Sequence, residues 1–358
     1  MKKVFIDLHV LQTVPPNCLN RDDTGSPKTA IYGGVRRARV SSQAWKRAMR
    51  LMFEEYFDPS ELSKRTKQVF ELVAQEIMAT SSDYSEEDAK TMAKEALAKV
   101  GVKPSGKKGK ENEADALFFM SMQQAKNVAA VALGEVDAKA VKNALKDSNG
   151  VDLALFGRMV ATDPDLNCDA SAQVAHAIST HRVENEYDFF TAVDDMASQT
   201  QEHAGGAHLG TVEYNSATLY RYATVAVHEL FNQLADNSEI MDKALQEFIR
   251  AFICSMPTGR QNTFAAHTLP EAVLAVIRTD RPLNLADAFE APISGKNGKG
   301  LVAASAKEFV ERAQEAYADF CALPAKSFVI GKHFAALGER LSLDDMLVRI
   351  SQEARSAI

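Results

Sequence analysis

The order of strand-like and helical segments constrains the fold of this chain more than any other feature. Apolar residues occupy every second position from Val4 to Val10, which predicts a strand over residues 3–12. Further strand-like runs lie at 218–227 and 271–278, with a helical pattern at 238–256 between them. The other predicted helices are 42–55, 60–79, 85–100, 113–133, 137–146, 304–320 and 343–356.

Removing residues 60–173 leaves the order strand, helix, strand, strand, helix, strand in outline. This is the β-α-β-β-α-β order of ferredoxin-like folds, which RNA-recognition domains share. We therefore predict an α+β fold with a helical insertion, within which the segment GVKPSGKKGKEN (101–112) is an exposed basic loop.

The charge of the chain is unevenly distributed. Residues 1–50 contain ten Lys or Arg and three Asp, a local excess of +7, whereas the whole chain carries −7. A concentrated cationic end on an acidic protein indicates a local site for a polyanion, and a nucleic-acid backbone fits several spaced contacts.

The cationic excess has an ordered arrangement within residues 20–50. Tyr32-Gly33-Gly34 predicts a turn, and three arginines, Arg36, Arg37 and Arg39, follow it. Ser41-Ser42 can then cap a helix through their side-chain oxygens. For the three arginines, charge at a sheet edge or a subunit interface remains an equal alternative to RNA contact.

The predicted helix that follows has two distinct faces. The polar face carries Gln43, Lys46, Arg47 and Arg50, and the opposite face carries Trp45, Ala48, Met49 and Met52. The apolar face is expected to dock the helix while the cationic face meets a partner. A solvated surface helix is the alternative for this element alone.

The segment 18–50, CLNRDDTGSPKTAIYGGVRRARVSSQAWKRAMR, resembles the N-terminal signature of the CasC family. That family supplies the repeated backbone subunit of the type I-E CRISPR surveillance complex, Cascade. The resemblance continues in family order at VDLALFGRM (151–159), AHAISTHRV (175–183), DFFTAVDD (188–195) and AHLGTVEYNSATLYRYA (207–223), and weakly at PTGRQNTFAA (257–266).

The resemblance implies a hand-like shape with an RNA-recognition-like palm, helical fingers and an extended thumb. The palm would comprise 1–59, a connection at 174–187, and 218–358. The helical fingers would be residues 60–173 and the thumb residues 188–217, which are too polar and Gly-rich to fold alone.

The resemblance also implies residue roles. Positions matching Arg21, Ser41, Gln43, Lys46 and Arg50 look like contacts to the guide-RNA backbone, while Met159 and Leu209 look like wedges beside a displaced base. Phe190 and Thr191 match RNA-contacting positions at the thumb base.

Spacing alone favours core packing for Met159 and a hydrophobic anchor for Phe190. The full predicted RNA-binding set is Arg21, Lys28, Arg36, Arg37, Ser41, Gln43, Lys46, Arg47, Arg50, Met159, Phe190, Thr191 and Leu209.

The expected function is a non-catalytic scaffold that polymerises head to tail along CRISPR guide RNA. Its expected partners are the guide, target DNA through guide pairing, copies of itself, and the large, small, guide-end-capping and guide-processing Cascade subunits. No cofactor, metal or membrane partner is expected.

The competing interpretation is a metal-dependent ribonuclease that uses Asp22 and Asp23, as in type III backbone subunits. A turn role for these carboxylates is preferred. The histidines at 176, 181, 203 and 208 repeat no known ligand spacing.

Four scattered cysteines, no CxxC pair and no signal-peptide pattern favour a reduced, cytoplasmic protein.

Overall fold

The computed structural model describes residues 2–160, 163–191, 209–235, 237–295 and 300–358. Its strands are β1 (Phe5–Asn17), β2 (Thr29–Tyr32), β3 (Val35–Val40), β4 (Ser63–Thr66), β5 (Phe118–Ser121), β6 (Ala172–Val174), β7 (Ala177–Ser179), β8 (Glu186–Thr191), β9 (Leu209–Ala226), β10 (Ala272–Arg278), β11 (Lys326–Ile330) and β12 (Glu339–Arg340).

The α-helices of the same ranges are α1 (Ser42–Phe53), α2 (Val69–Thr80), α3 (Glu86–Ala98), α4 (Met122–Ala132), α5 (Ala138–Lys146), α6 (Val151–Phe156), α7 (Val227–Gln233), α8 (Ser238–Cys254), α9 (Gln261–Phe264), α10 (Leu301–Asp319) and α11 (Leu343–Ala357). Among these described helices, none combines the length and the apolar character that crossing a membrane requires.

One large sheet organises the described residues, in the order β12-β11-β10-β1-β9-β7-β3-β2, with β6 and β8 also pairing to β9. Its centre, β10-β1-β9-β7, is antiparallel throughout. Together with α1 after β1 and α8 after β9, this is the predicted β-α-β-β-α-β arrangement. The α+β, RNA-recognition-like fold class is confirmed.

The sheet separates two apolar cores, and the insertion contains a third. Ile6, Leu8 and Val10 of β1 pack in the core beneath α1, α8 and α11, whereas Leu11 packs on the other face with Phe309 of α10. The third core lies within residues 69–166, where α2, α3, α4 and α5 pack together.

Two of the predicted helices in the insertion are wrong in part. Residues 60–79 contain β4 before α2 begins, and 113–133 contains β5 before α4 begins. The two strands pair antiparallel, with Arg65 opposite Phe119. Short strands depend on a partner distant in sequence, which local periodicity does not reveal.

The basic segment before α1 also contains more structure than the sequence indicated. Strands β2 and β3 form an antiparallel hairpin through the predicted Gly33-Gly34 turn, where both glycines have positive φ. A side chain at Gly33 would collide with the carbonyl oxygen of Glu290, which explains a glycine there.

The helix α1 is seated on the sheet by a buried arginine of β9. The Arg221 guanidinium lies 3.6 Å from the ring centroid of Trp45 on α1 and 4.7 Å from that of Phe252 on α8. It donates to Gln12 Oε1 on β1 and to the carbonyl of Phe252. Burial lowers the pKa of Arg221 to about 9. The contact joins two strands and two helices, and the predicted apolar face of α1 docks as expected.

We expect Arg221→Ala to lower the free energy of unfolding by about 3 kcal/mol or more, because it opens a cavity between two rings and leaves buried acceptors without donors. Chemical denaturation measures this. The exposed Arg182 provides the control, since Arg182→Ala should change stability by less than about 0.5 kcal/mol. Equal stabilities for the two variants would contradict this account of how α1 is seated.

Candidate nucleic-acid interface

Five of the residues predicted to bind RNA line a single cleft of about 570 Å³. One wall is α1, the opposite wall is the two-stranded β4–β5 sheet, and the segment after α6 completes the lining. The lining residues are Gln43, Lys46, Arg47, Arg50, Arg65, Leu117, Phe118, Phe119, Phe156, Gly157, Arg158 and Met159. Residues separated by more than a hundred positions in sequence thus form one surface.

The α1 wall presents polar side chains in the predicted order. Ser41 caps the helix by accepting from the Ala44 backbone N–H, and the cap fixes where the polar face begins. Gln43 and Arg47 are exposed. The Lys46 ammonium lies 5.5 Å from the Phe156 ring centroid, and burial lowers the pKa of Lys46. A phosphate beside this amine would oppose that shift, because it stabilises the charged form.

Arg50 lines the cleft and also forms hydrogen bonds that connect α1 to neighbouring elements. Its Nε donates to Asp152 Oδ2 at 2.9 Å and its Nη2 to the carbonyl of Ser63 at 3.2 Å. Asp152 is buried and also accepts from the Ser63 backbone N–H at 2.7 Å. Burial raises the pKa of Asp152, and Arg50 opposes that rise. Arg50 therefore ties α1, α6 and β4 together.

A tight turn presents Met159 at the cleft. Gly157 has φ +75°, and a side chain there would lie 2.7 Å from the carbonyl oxygen of Cys168. The buried Arg158 donates to the carbonyls of Leu166, Phe119 and Leu145, which fixes the turn to the insertion. Met159 itself is 85% exposed, so the core-packing alternative is wrong.

The loop before the β2–β3 hairpin lies at the start of α1. The Asn20 side chain accepts from the Ser41 backbone N–H, and the Lys28 backbone N–H donates to the Asn20 carbonyl. An isolated bridge pairs Arg21 with Pro27. This loop brings Arg21, which is exposed, and Lys28, which is half-buried, to the N-terminus of α1.

Asp22 organises that loop. Its Oδ1 accepts from the backbone N–H and hydroxyl of Thr24 and from the backbone N–H of Ser26. These hydrogen bonds, with that from the Thr24 hydroxyl the largest, lower the pKa of Asp22. Asp22 thus has the turn geometry that the preferred interpretation requires. Within the described ranges, no three His, Cys, Asp or Glu residues are grouped as metal ligands.

Two predicted RNA contacts have structural positions instead. Arg37 is fully buried and donates to the carbonyls of Tyr32, Ser179, Phe289 and Glu290, so its donors face the protein. Burial lowers the pKa of Arg37. Ser41 is likewise buried, with its hydroxyl at the helix cap. Arg36 is exposed and lines a separate groove with Arg182 and Tyr187.

The thumb-base residues lie on a two-stranded arm outside the α1 cleft. Strand β8 pairs with the first part of β9, with Phe190 opposite Gly210 and Thr191 opposite Leu209. The Phe190 ring lies over Gly210, where an added Cβ would meet it at 2.4 Å. The whole of β8 is exposed. The Leu209 side chain and residues 192–208 lie outside the described part of the chain.

Sequence reasoning missed the second wall of the cleft. Arg65, Leu117, Phe119 and Arg158 were not among the candidates. The run Lys64-Arg65-Thr66-Lys67 was a visible cationic signal, but it fell inside a segment interpreted as a helix.

The model of the CT1975-like protein family matches residues 6–350. The chain belongs to the CT1975-like protein family. Among curated proteins, none matches this family member.

Two solved structures resemble this CT1975-like chain over almost its full length. A chain of a "CRISPR RNA-guided surveillance complex, pre-nicking" is 33% identical with a TM-score of 0.86, covering 98% of this chain and all of that one. A chain of a "CRISPR RNA-guided surveillance complex" is 28% identical with a TM-score of 0.74, covering 96% and 99%. The resemblance to CasC-like backbone subunits is confirmed.

For this CT1975-like protein we expect Arg50→Ala to lower the free energy of unfolding by about 2 kcal/mol, because it leaves the buried Asp152 carboxylate without its counter-charge. Thermal or chemical denaturation measures the loss. Adding Asp152→Asn to Arg50→Ala should recover part of it. Arg47→Ala, one turn away and exposed, is the matched control and should melt like the wild type. Loss of stability in Arg47→Ala but not in Arg50→Ala would contradict the assignment.

Proposed function

We propose that this chain binds CRISPR guide RNA through the α1 cleft and is the repeated, non-catalytic backbone subunit of a type I-E surveillance complex. The observation that carries the proposal is the convergence of Gln43, Lys46, Arg47 and Met159, predicted from separate motifs, on one cleft. The relatives' membership of RNA-guided complexes supports it.

The α1 wall would hold the RNA backbone. Lys46 and Arg47 supply charge, and Gln43 supplies a neutral donor to phosphate or ribose. Arg21 and Lys28 would extend this path past the N-terminus of α1, where free backbone N–H groups favour anions. These contacts carry no base information, so sequence would be read by guide–target pairing.

Met159 would interrupt base stacking. Met159 is exposed and lines the cleft with cationic side chains, so its apolar thioether would contact a base while the cations hold phosphates. A base displaced there would separate short runs of nucleotides, which remain free to pair with target DNA.

The exposed β8–β9 arm would reach a neighbouring copy. Phe190 and Thr191 lie on this arm and not in the α1 cleft, so one subunit would contribute α1 and Met159 while its neighbour contributes the arm with Leu209. Contacts between two different surfaces of identical subunits generate rings when the rotation closes and open helical filaments when it does not, and the open filament is the proposed arrangement. The large, small, end-capping and processing subunits would complete the complex.

Size analysis with and without guide RNA tests the proposal. Purified protein should form larger assemblies only with guide RNA, and Lys46→Ala/Arg47→Ala should weaken binding and reduce the log–log salt slope by about 0.7 per contact. The control is Lys307→Ala/Lys332→Ala, which removes two exposed charges from outside the cleft.

The proposal would be contradicted if the wild type formed assemblies of the same size with and without guide RNA. It would also be contradicted if Lys46→Ala/Arg47→Ala left the salt dependence of RNA affinity unchanged. Incubation with labelled guide and target RNA in Mg²⁺ should leave both intact. Cleavage by the wild type that Asp23→Ala abolishes would establish the ribonuclease interpretation instead.

A further inference from the structure

The cleft has a cationic residue on the wall opposite α1. Arg65 is exposed on β4, lines the cleft, and lies opposite Phe119 in the β4–β5 register. Its neighbour Lys64 is also exposed but does not line the cleft. Successive side chains of a strand point to opposite faces, which separates the two cations.

The charges around the cleft are unbalanced. Its lining includes Lys46, Arg47, Arg50, Arg65 and Arg158 and, within the described chain, no acidic residue. Asp152 is the nearby exception, but it is buried behind Arg50 and already paired with it. Within the described ranges, Arg65 forms no ion pair with a carboxylate. Facing cations repel one another unless an anion lies between them.

Apolar groups lie beside these cations. Leu117, just before β5, is 52% exposed and lines the cleft along with Met159. The Phe119 ring lies beneath Arg50, 4.7 Å from its guanidinium carbon to the ring centroid. Cations and apolar groups that line one cleft suit a nucleotide strand, which offers both phosphates and bases.

We propose that Arg65 is a second-wall phosphate ligand, so that the RNA strand is held from both sides of the cleft, and that Leu117 contacts a base next to Met159. This inference rests on the proposed guide-RNA function and extends it to the insertion. RNA binding would then require the α1 wall and the helical insertion together, rather than the palm alone.

The β4–β5 wall is held in place relative to α1. The Ser63 carbonyl accepts from Arg50, and its backbone N–H donates to Asp152. Arg65 lies two residues further along the same strand, so its backbone position is fixed before RNA binds. A preorganised cation loses less freedom on binding than one carried by a mobile loop.

The test measures guide-RNA affinity across a salt series for Arg65→Gln, with Lys64→Gln as the matched control on the same strand. Arg65→Gln should weaken binding about 5–10-fold at ~0.15 M salt and reduce the log–log salt slope by about 0.7. Lys64→Gln should stay within about twofold, with an unchanged slope. Both variants should melt like the wild type.

Guide-RNA binding by Arg47→Gln separates the second-wall inference from the proposed function. If Arg47→Gln weakens binding while Arg65→Gln does not, the second-wall inference fails and the proposed function stands. If the wild type shows no salt-dependent guide binding, the proposed function fails as well. Equal losses in Lys64→Gln and Arg65→Gln would indicate general charge attraction and overturn the assigned site.

A separate fluorescence measurement tests whether Leu117 contacts a base. With 2-aminopurine at successive guide positions, Leu117→Ser should change the fluorescence of the position that responds to Met159→Ala. Unchanged fluorescence at every position would remove Leu117 from the interface.

Discussion

The seat of α1 on the sheet is the constraint on which the rest of the cleft depends. Arg221 lies between the Trp45 and Phe252 rings and donates to Gln12 and to the Phe252 carbonyl. Such a cation is tolerated in the interior because ring faces and carbonyl oxygens replace its hydration. With the apolar face of α1 fixed in this way, its polar face must point away from the sheet. Packing inside the core therefore sets the direction in which the proposed RNA-binding surface faces.

Two groups of arginines in this chain have different consequences. Arg37, Arg158 and Arg221 are buried and donate to carbonyl groups, whereas Arg47 and Arg65 are exposed at the cleft. Arg50 and Arg158 have features of both groups, because Arg50 pairs with Asp152, Arg158 is buried and donates to carbonyl groups, and both line the cleft. A count of cations in the sequence thus overestimates the charge available at the surface, and removing a buried arginine tests folding rather than binding.

The central fold was predictable because its elements carry strong local patterns. The alternation in β1, the two faces of α1 and the cap at Ser41 were all visible in the sequence and are confirmed. The pairing of β4 with β5 was not, since Arg65 and Phe119 are distant in sequence and each strand is only four residues long. The burial of Arg37 was equally hidden, because its acceptors on Ser179 and Phe289 are backbone carbonyls. The motif resemblance predicted that Met159 lies beside a displaced base, whereas spacing alone favoured core packing. The exposure of Met159 agrees with the motif-based prediction.

The central claim is that one cleft, built from α1, the two-stranded β4–β5 sheet and the segment after α6, holds the guide-RNA strand. Photocrosslinking of guide RNA containing 4-thiouridine, followed by mass spectrometry of the crosslinked peptides, tests it most directly. The account predicts crosslinks on residues 42–53, 63–66, 117–119 and 156–159, with further crosslinks on the β8–β9 arm only after assembly. Crosslinks confined to α10, α11 or other surfaces away from the cleft, in protein that binds guide RNA tightly, would contradict it.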